Sequence, residues 1–302
     1  MLDRLPAMRL DTGMSDILLQ VAAKRGVAVP PPPHAPGVLG ELAASIFLHP
    51  LRGVRRTPRE LGYLATARRF TLSTAAGELA AWEWGEPGRP LAGLLHGWEG
   101  HGAQLGAFAA PLTQAGFRVL AFDAPGHGDS PGEECSAPLV GRLVVAMQAQ
   151  VGNFSACVAH SMGCAVAAMA AVGGAPVRGM VFLAPPVSQL DRVERMCRRM
   201  EIAPEVAVHF QAAVERRTQM PYGQASMHPV AEQAPCPLLA LHDPQDDSTD
   251  YAATEDFVAR WRGARLVPCP GRGHYRLLST PEVVRQGVEF LAGQLSTSNA
   301  QG

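Results

Sequence analysis

Hydrophobic and polar positions alternate in two registers along this chain, and the change from one to the other marks its architecture. Residues 70–74 and 78–84, separated by Ala75-Ala76-Gly77, read as an opening β-hairpin. From residue 91 onward, short apolar runs (91–95, 117–122, 155–159, 236–242 and 264–268) alternate with longer helix-like stretches such as the alanine-rich 164–171. That alternation predicts a mostly parallel sheet with helices on both faces. Right-handed crossovers then bring the C-terminal ends of the strands to one edge, where ligands bind in open sheets of this kind.

The pattern breaks twice. Between Pro186 and Pro235 no strand appears, and residues 187–200 and 204–220 read as two amphipathic helices rich in arginine and methionine. Met196, Met200, Phe210, Met220 and Met227 suit an apolar underside, although methionines at helical spacing are more often plain core. Near the start, Pro30 to Pro33 with Pro36 and Gly37 read as a stiff linker. The expected division is therefore an extension over 1–36, a first core segment over 37–186 that opens with a short helix packed under the core, an inserted helical segment over 187–235 and a second core segment over 236–302.

One serine stands out against this framework. In Val158-Ala159-His160-Ser161-Met162-Gly163-Cys164, Ser161 falls between a strand-like run and a helix-like run. Such a turn strains the serine backbone, so small residues are needed two positions to either side; Ala159 and Gly163 supply them. A serine hydroxyl is a poor nucleophile until a base takes its proton, and the base needs an orienting acid. Downstream, the run at 236–242 ends in His242-Asp243-Pro244-Gln245-Asp246-Asp247, and the run at 264–268 leads to Gly271-Arg272-Gly273-His274. Upstream, 91–95 ends in His96-Gly97-Trp98, and 117–122 in Asp123-Ala124-Pro125-Gly126-His127-Gly128-Asp129-Ser130.

With these five blocks in this order, the chain resembles the α/β-hydrolase superfamily, in its serine-hydrolase branch, from about residue 68 to residue 295. The resemblance implies an α/β-hydrolase fold, with a mostly parallel central sheet flanked by helices and a small helical lid. It also implies roles. Ser161 matches the nucleophile, His274 the general base and Asp246 the acid, with Asp247 one residue away. The backbone N–H groups of Trp98 and Met162 match the oxyanion hole, which stabilises the negative charge that develops on the substrate carbonyl. The expected activity is cleavage of a carboxylic ester, by a carboxylesterase-like enzyme acting on a small-molecule acyl substrate. Amide, thioester or carbon–carbon cleavage, and a non-catalytic ligand-binding role, are the alternatives on the same fold.

Composition narrows the rest. At 302 residues and 47% hydrophobic content the chain can fill a sizeable core, and a net charge of −1 offers no general attraction to nucleic acid or acidic membranes. Six scattered cysteines without a C-x-x-C pair suggest neither a zinc site nor a disulfide framework, and no metal or other cofactor is called for. The five histidines that follow strand-like runs (His96, His127, His160, His242 and His274) are expected to gather at one edge of the sheet. There His96 and His127 would brace loops and His160 would be structural. Glu99 and His101 are expected either on an exposed loop or at the mouth of the pocket beside Trp98. The arginines at 52, 55, 56, 59, 68 and 69 are expected on a solvated face. The absence of an export-like N-terminus or a long apolar run leads to a cytoplasmic expectation without stable membrane anchoring.

Overall fold

Strands β3 (Leu91–Leu95), β6 (Gly179–Leu183) and β7 (Leu238–His242) are buried at every position, as expected where a parallel sheet is covered on both faces. They belong to an eight-stranded sheet in a computed structural model that describes residues 14–32, 34–51, 53, 55–221, 226–233 and 235–299. The other strands are β1 (Arg68–Thr74), β2 (Gly77–Trp84), β4 (Arg118–Phe122), β5 (Phe154–His160) and β8 (Ala264–Pro268). Their order is β1-β2-β4-β3-β5-β6-β7-β8; β1 and β2 form the expected hairpin, β2 runs antiparallel to β4, and all remaining pairs are parallel. Between β3 and β5 the connections turn to opposite sides of the sheet, which opens a crevice at the strands' carboxyl ends.

Both faces carry helices whose boundaries follow from local chemistry. Helix α5 (Ala137–Val151) begins where the Ser136 hydroxyl accepts the Leu139 N–H and ends at Gly152, whose φ of 88° favours glycine. Together with α6 (Met162–Val172) it covers one face, packing Met147, Val166 and Ala170 against Phe154 and Phe182. Helices α4 (Ala109–Gln114) and α12 (Pro281–Asn299) cover the other, where Leu112, Val284 and Leu291 meet Leu94, Val119 and Val181.

A third core lies outside the sheet sandwich. The insertion between β6 and β7 forms α7 (Gln189–Arg199), α8 (Pro204–Thr218) and α9 (His228–Gln233), close to the two helices expected there. Helix α1 (Met14–Arg25) and helix α2 (Pro36–Leu48) join α7 and α8 around Leu18, Val21, Leu42, Ile46, Val193, Met200, Val206 and Phe210. The N-terminal segment is thus part of the lid layer, and α2 packs on the lid helix α8 instead of under the sheet. The reason is in the two apolar faces: neither α2 nor α8 can bury its stripe alone, and Gly40 lets them close. A Cβ at Gly40 would come within 2.4 Å of the His209 Cβ and 2.8 Å of the Phe210 nitrogen. The first thirteen residues of the expected extension, Pro33 and Arg52 lie outside the described residues.

The remaining arginines divide. Arg55 and Arg59 are exposed. Arg56 departs from the solvated face: it pairs with Asp123 at 2.7 Å and Asp129 at 2.9 Å and stacks 5.0 Å over Trp82. Among the described residues, no helix is long and apolar enough to cross a membrane.

The α2–α8 contact yields a test. Gly40→Val should destabilise the lid layer by about 1–3 kcal/mol, since the added carbons meet backbone that cannot yield. Limited proteolysis and urea titration read this directly, and an unchanged cleavage pattern over residues 189–218 would show that the contact is not close in solution.

Candidate active site

The carboxyl ends of β3 and β5 lie so close together that a side chain at Gly163 or at Gly97 would crowd its neighbours. A Cβ at Gly163 would lie 2.1 Å from the Leu95 carbonyl oxygen, and one at Gly97 would lie 2.9 Å from His160 Nδ1 and 3.0 Å from Ser161 Cβ. Ser161 itself sits at φ 50° and ψ −124°, in the left-handed half of backbone space, where a side chain is strained. Its N–H donates to the Leu183 carbonyl at 3.0 Å. Serine at a helix N-cap usually spends its hydroxyl on the backbone two or three residues on. At the head of α6, Ser161 makes no such cap bond and its side chain faces a cavity instead.

That cavity is about 140 Å³, roughly the size of an aromatic ring, and it is roofed by α7. Ser161, Met162, Trp98 and His274 all line it. His274 follows β8, in the short helix α11 (Gly273–Arg276), and its Nδ1 lies 2.8 Å from Asp246 Oδ2. Asp246 is fully buried through its side chain, whereas Asp247 is exposed and accepts the Ser248 hydroxyl at 3.1 Å. The structure therefore brings Ser161, His274 and Asp246 to one place and leaves Asp247 out.

Burial alone would raise the Asp246 pKa. The side chains of His242 and His274, the charge on His274 and the Ser248 N–H together outweigh it and hold the carboxylate far below the usual range. His242, fully buried, places Nε2 3.3 Å from Asp246 Oδ2 and 3.1 Å from the Thr249 hydroxyl, which donates to the same carboxylate oxygen at 3.0 Å. A proton on His242 Nε2 satisfies this set, with the Thr254 hydroxyl 2.9 Å from Nδ1. Asp243 holds the neighbouring loop. Its carboxylate accepts the Gly273 N–H and, at 2.9 Å, the Gln245 N–H, so the turn after β7 and the loop that carries His274 are tied by one side chain. Burial works against its ionisation, but these backbone donors lower its pKa.

The other histidines are braces. His96 Nε2 accepts the Ala124 N–H at 2.9 Å while Nδ1 donates to the Gly97 carbonyl; His127 Nε2 accepts the Glu99 N–H at 3.0 Å while Nδ1 donates to the Pro125 carbonyl. Both ends of the Gly97-Trp98 turn are thereby pinned. His160 Nε2 lies 3.0 Å from the His274 carbonyl oxygen, tying the residue before Ser161 to the backbone of the candidate base. Among the described residues no three His, Cys, Asp or Glu side chains converge as metal ligands would.

Glu99 and His101 are not on an exposed loop: both are buried, and Glu99 lines the cavity beside Trp98. Glu99 is held by Arg25 at 2.5 Å, from α1, and by the Leu51 N–H at 3.2 Å. These partners come from the N-terminal segment, which the local sequence around residue 99 does not announce.

The family model that matches the chain is that of the alpha/beta hydrolase family, over residues 94–286, and it spans all five motif blocks. The chain belongs to the alpha/beta hydrolase family. Among solved structures, a hydrolase from Pseudomonas aeruginosa PA01 superposes with a TM-score of 0.59 at 20% identity, covering 75% of this chain and 98% of its own. An esterase from Pyrococcus furiosus gives 0.60 at 20% identity over 82% of this chain and 97% of its own. A thermophilic esterase from Thermogutta terrifontis gives 0.57 at 19% identity over 76% and 99%. At these identities the likeness is one of fold. No curated protein sequence matches. In this alpha/beta hydrolase, the lid helices and the first two helices pack as one layer above the cavity.

The buried histidines make a prediction about acid. Burial lowers the pKa of His96 to about 4 and of His127 to about 3, in the latter with the charge of His96 assisting, and burial first and His274 second push His160 well down. Unfolded, each takes up a proton near pH 6.5. Below that pH the unfolded state binds more protons than the folded one, so the stability these groups contribute is present above about 6.5 and is lost as pH falls toward the folded values. Each should add up to about 1.4 kcal/mol per pH unit to the slope between pH 6 and 4.5. Urea unfolding across that range should show the slope, and it should shrink in His96→Gln and His127→Gln.

Proposed function

We propose that this protein is a serine hydrolase that cleaves carboxylic esters through an acyl-enzyme, with Ser161 as nucleophile, His274 as general base and Asp246 as the orienting acid. The observation that carries the reading is the 2.8 Å contact between His274 Nδ1 and a buried, hydrogen-bonded Asp246, at the wall of a cavity that also takes the uncapped hydroxyl of Ser161. A carboxylate so placed keeps the imidazole proton on Nδ1, leaving Nε2 as the atom that accepts from serine.

The reaction then runs in two halves. Ser161 Oγ bonds to the substrate carbonyl carbon as its proton passes to His274; the tetrahedral intermediate collapses, the carbon–oxygen bond to the alcohol breaks, and His274 returns the proton to the leaving alkoxide. Water, deprotonated by His274, attacks the acyl-enzyme, and collapse of the second intermediate frees the acid and restores the Ser161 hydroxyl. In both halves the N–H groups of Met162 and Trp98 would meet the carbonyl oxygen as it becomes negative. Met162 is the first residue of α6, where N–H groups have no partner within the helix and the helix dipole favours negative charge. The turn carrying Trp98 is held by His96 and His127, so its donor needs no reordering as charge develops. Esters are preferred to amides as substrates because the alkoxide is the easier leaving group, and two esterases are among the solved structures of similar fold.

Ser161→Ala should keep the fold and lower turnover of p-nitrophenyl esters by about 10⁴ to 10⁶. Retention of the parent rate by the purified variant would end the proposal. Asp246→Asn should cost on the order of 10⁴ in turnover, whereas Asp247→Asn should cost little, because Asp247 is exposed and away from His274. The reverse ranking would reassign the acid.

A further inference from the structure

Helix α7 turns an unusual face toward the candidate nucleophile. Arg192, Arg195 and Arg199 follow each other at steps of three and four, so they share one side of the helix, and all three line the cavity with Ser161 and His274. They are half-buried there, while Glu194 and Arg198, on the other side of the helix, are exposed and pair with each other at 3.5 Å. The lid's site-facing surface is therefore cationic where an apolar one would suit a plain fatty ester.

Among the described residues that line the cavity, the acidic side chains are Glu99 and Asp250, two carboxylates facing three guanidinium groups. Glu99 is already bound by Arg25 and the Leu51 N–H, and Asp250 caps helix α10 (Tyr251–Arg260) by accepting the Ala252 N–H at 3.0 Å. Two of the cavity arginines are also set in place. Arg192 lies 5.2 Å over the Trp98 ring and 5.2 Å over the Phe47 ring, which cover its flat faces and leave hydrogen bonding to its edge. Burial lowers its pKa to about 10, with Glu99 opposing, so it remains protonated at neutral pH. Arg195 donates through Nη1 to the Ser248 carbonyl at 3.2 Å, fixing it beside the loop that carries Asp246.

A neutral ligand entering this cavity would strip water from three guanidinium groups and return no charge to them, which is costly. A carboxylate or phosphate would accept their N–H groups in the geometry that arginine favours. We propose that the cavity selects anionic ligands, so that the substrate is an ester bearing a carboxylate or phosphate that the arginines of α7 bind. The ester part of this statement rests on the reading of Ser161 as nucleophile; the anion part does not.

Two matched probe pairs test it: the p-nitrophenyl half-ester of glutarate against p-nitrophenyl pentanoate, and butanoyl glycerol phosphate against butanoyl glycerol. Binding is measured by calorimetry on the Ser161→Ala protein, and kcat/KM on the parent. In at least one pair the anionic member should bind on the order of tenfold more tightly, and the pair that shows it identifies carboxylate or phosphate as the anion. The preference should collapse in Arg199→Gln and in Arg195→Gln, each tested alone so that one misfolded variant does not decide the matter, and persist in Arg198→Gln. Equal or tighter binding of the neutral member in both pairs overturns the inference. Anion-selective binding with no ester cleaved by the parent would uphold the cavity's selectivity and overturn the hydrolase reading instead.

Discussion

Everything at the candidate site depends on one close approach of two backbones. The helix that follows β5 must begin against the carbonyl of Leu95 at the end of β3, and only the missing side chain of Gly163 permits it. That contact places the N-terminus of α6 beside the Gly97-Trp98 turn. It also forces Ser161 into a conformation in which its hydroxyl cannot cap its own helix. Strain of this kind persists only where the surroundings over-determine it. Here the Leu183 carbonyl, the glycine at 97 and the His160 tether to the backbone of His274 do so together. The backbone geometry at Ser161 is thus a by-product of how tightly the centre of the sheet is packed.

The fold was legible in the sequence because its signals are local. Short apolar runs, separated by helix-length stretches, specify strands without knowledge of their neighbours, and the loss of that alternation after Pro186 marked the inserted helices. The residues of the candidate site were legible as an ordered set of motifs, each at the end of a strand. What could not be read was partnership across the chain. Glu99 resembles any charged loop residue until Arg25, seventy-four positions earlier, is beside it. The pairing of α2 with α8, far along the chain, is hidden in the same way. Asp243 is a different case. An acid just after a buried strand, with a Gly-Arg-Gly loop due at the same sheet edge, was a signal that a carboxylate would gather backbone N–H groups.

The lid layer is not an isolated pair of helices resting on the sheet. Helices α1, α2, α7 and α8 share their own apolar core. Through Arg25 and Glu99 that layer is also bonded to the turn beside Trp98, so the geometry of the roof and of the candidate oxyanion hole are coupled.

The same layer joins the beginning of the chain to its middle, and this bears on biosynthesis. Helices α1 and α2 leave the ribosome well before their packing partners, which begin at Gln189 and end at Thr218. At ordinary rates of synthesis the apolar faces around Leu18, Leu42 and Ile46 wait roughly ten to thirty seconds for Val193, Val206 and Phe210 to appear. The intervening β1 to β6 can pair during that interval; the first two helices cannot finish. A nascent chain of this protein therefore offers an unsatisfied amphipathic surface to chaperones, or to other nascent chains, until its lid has been made.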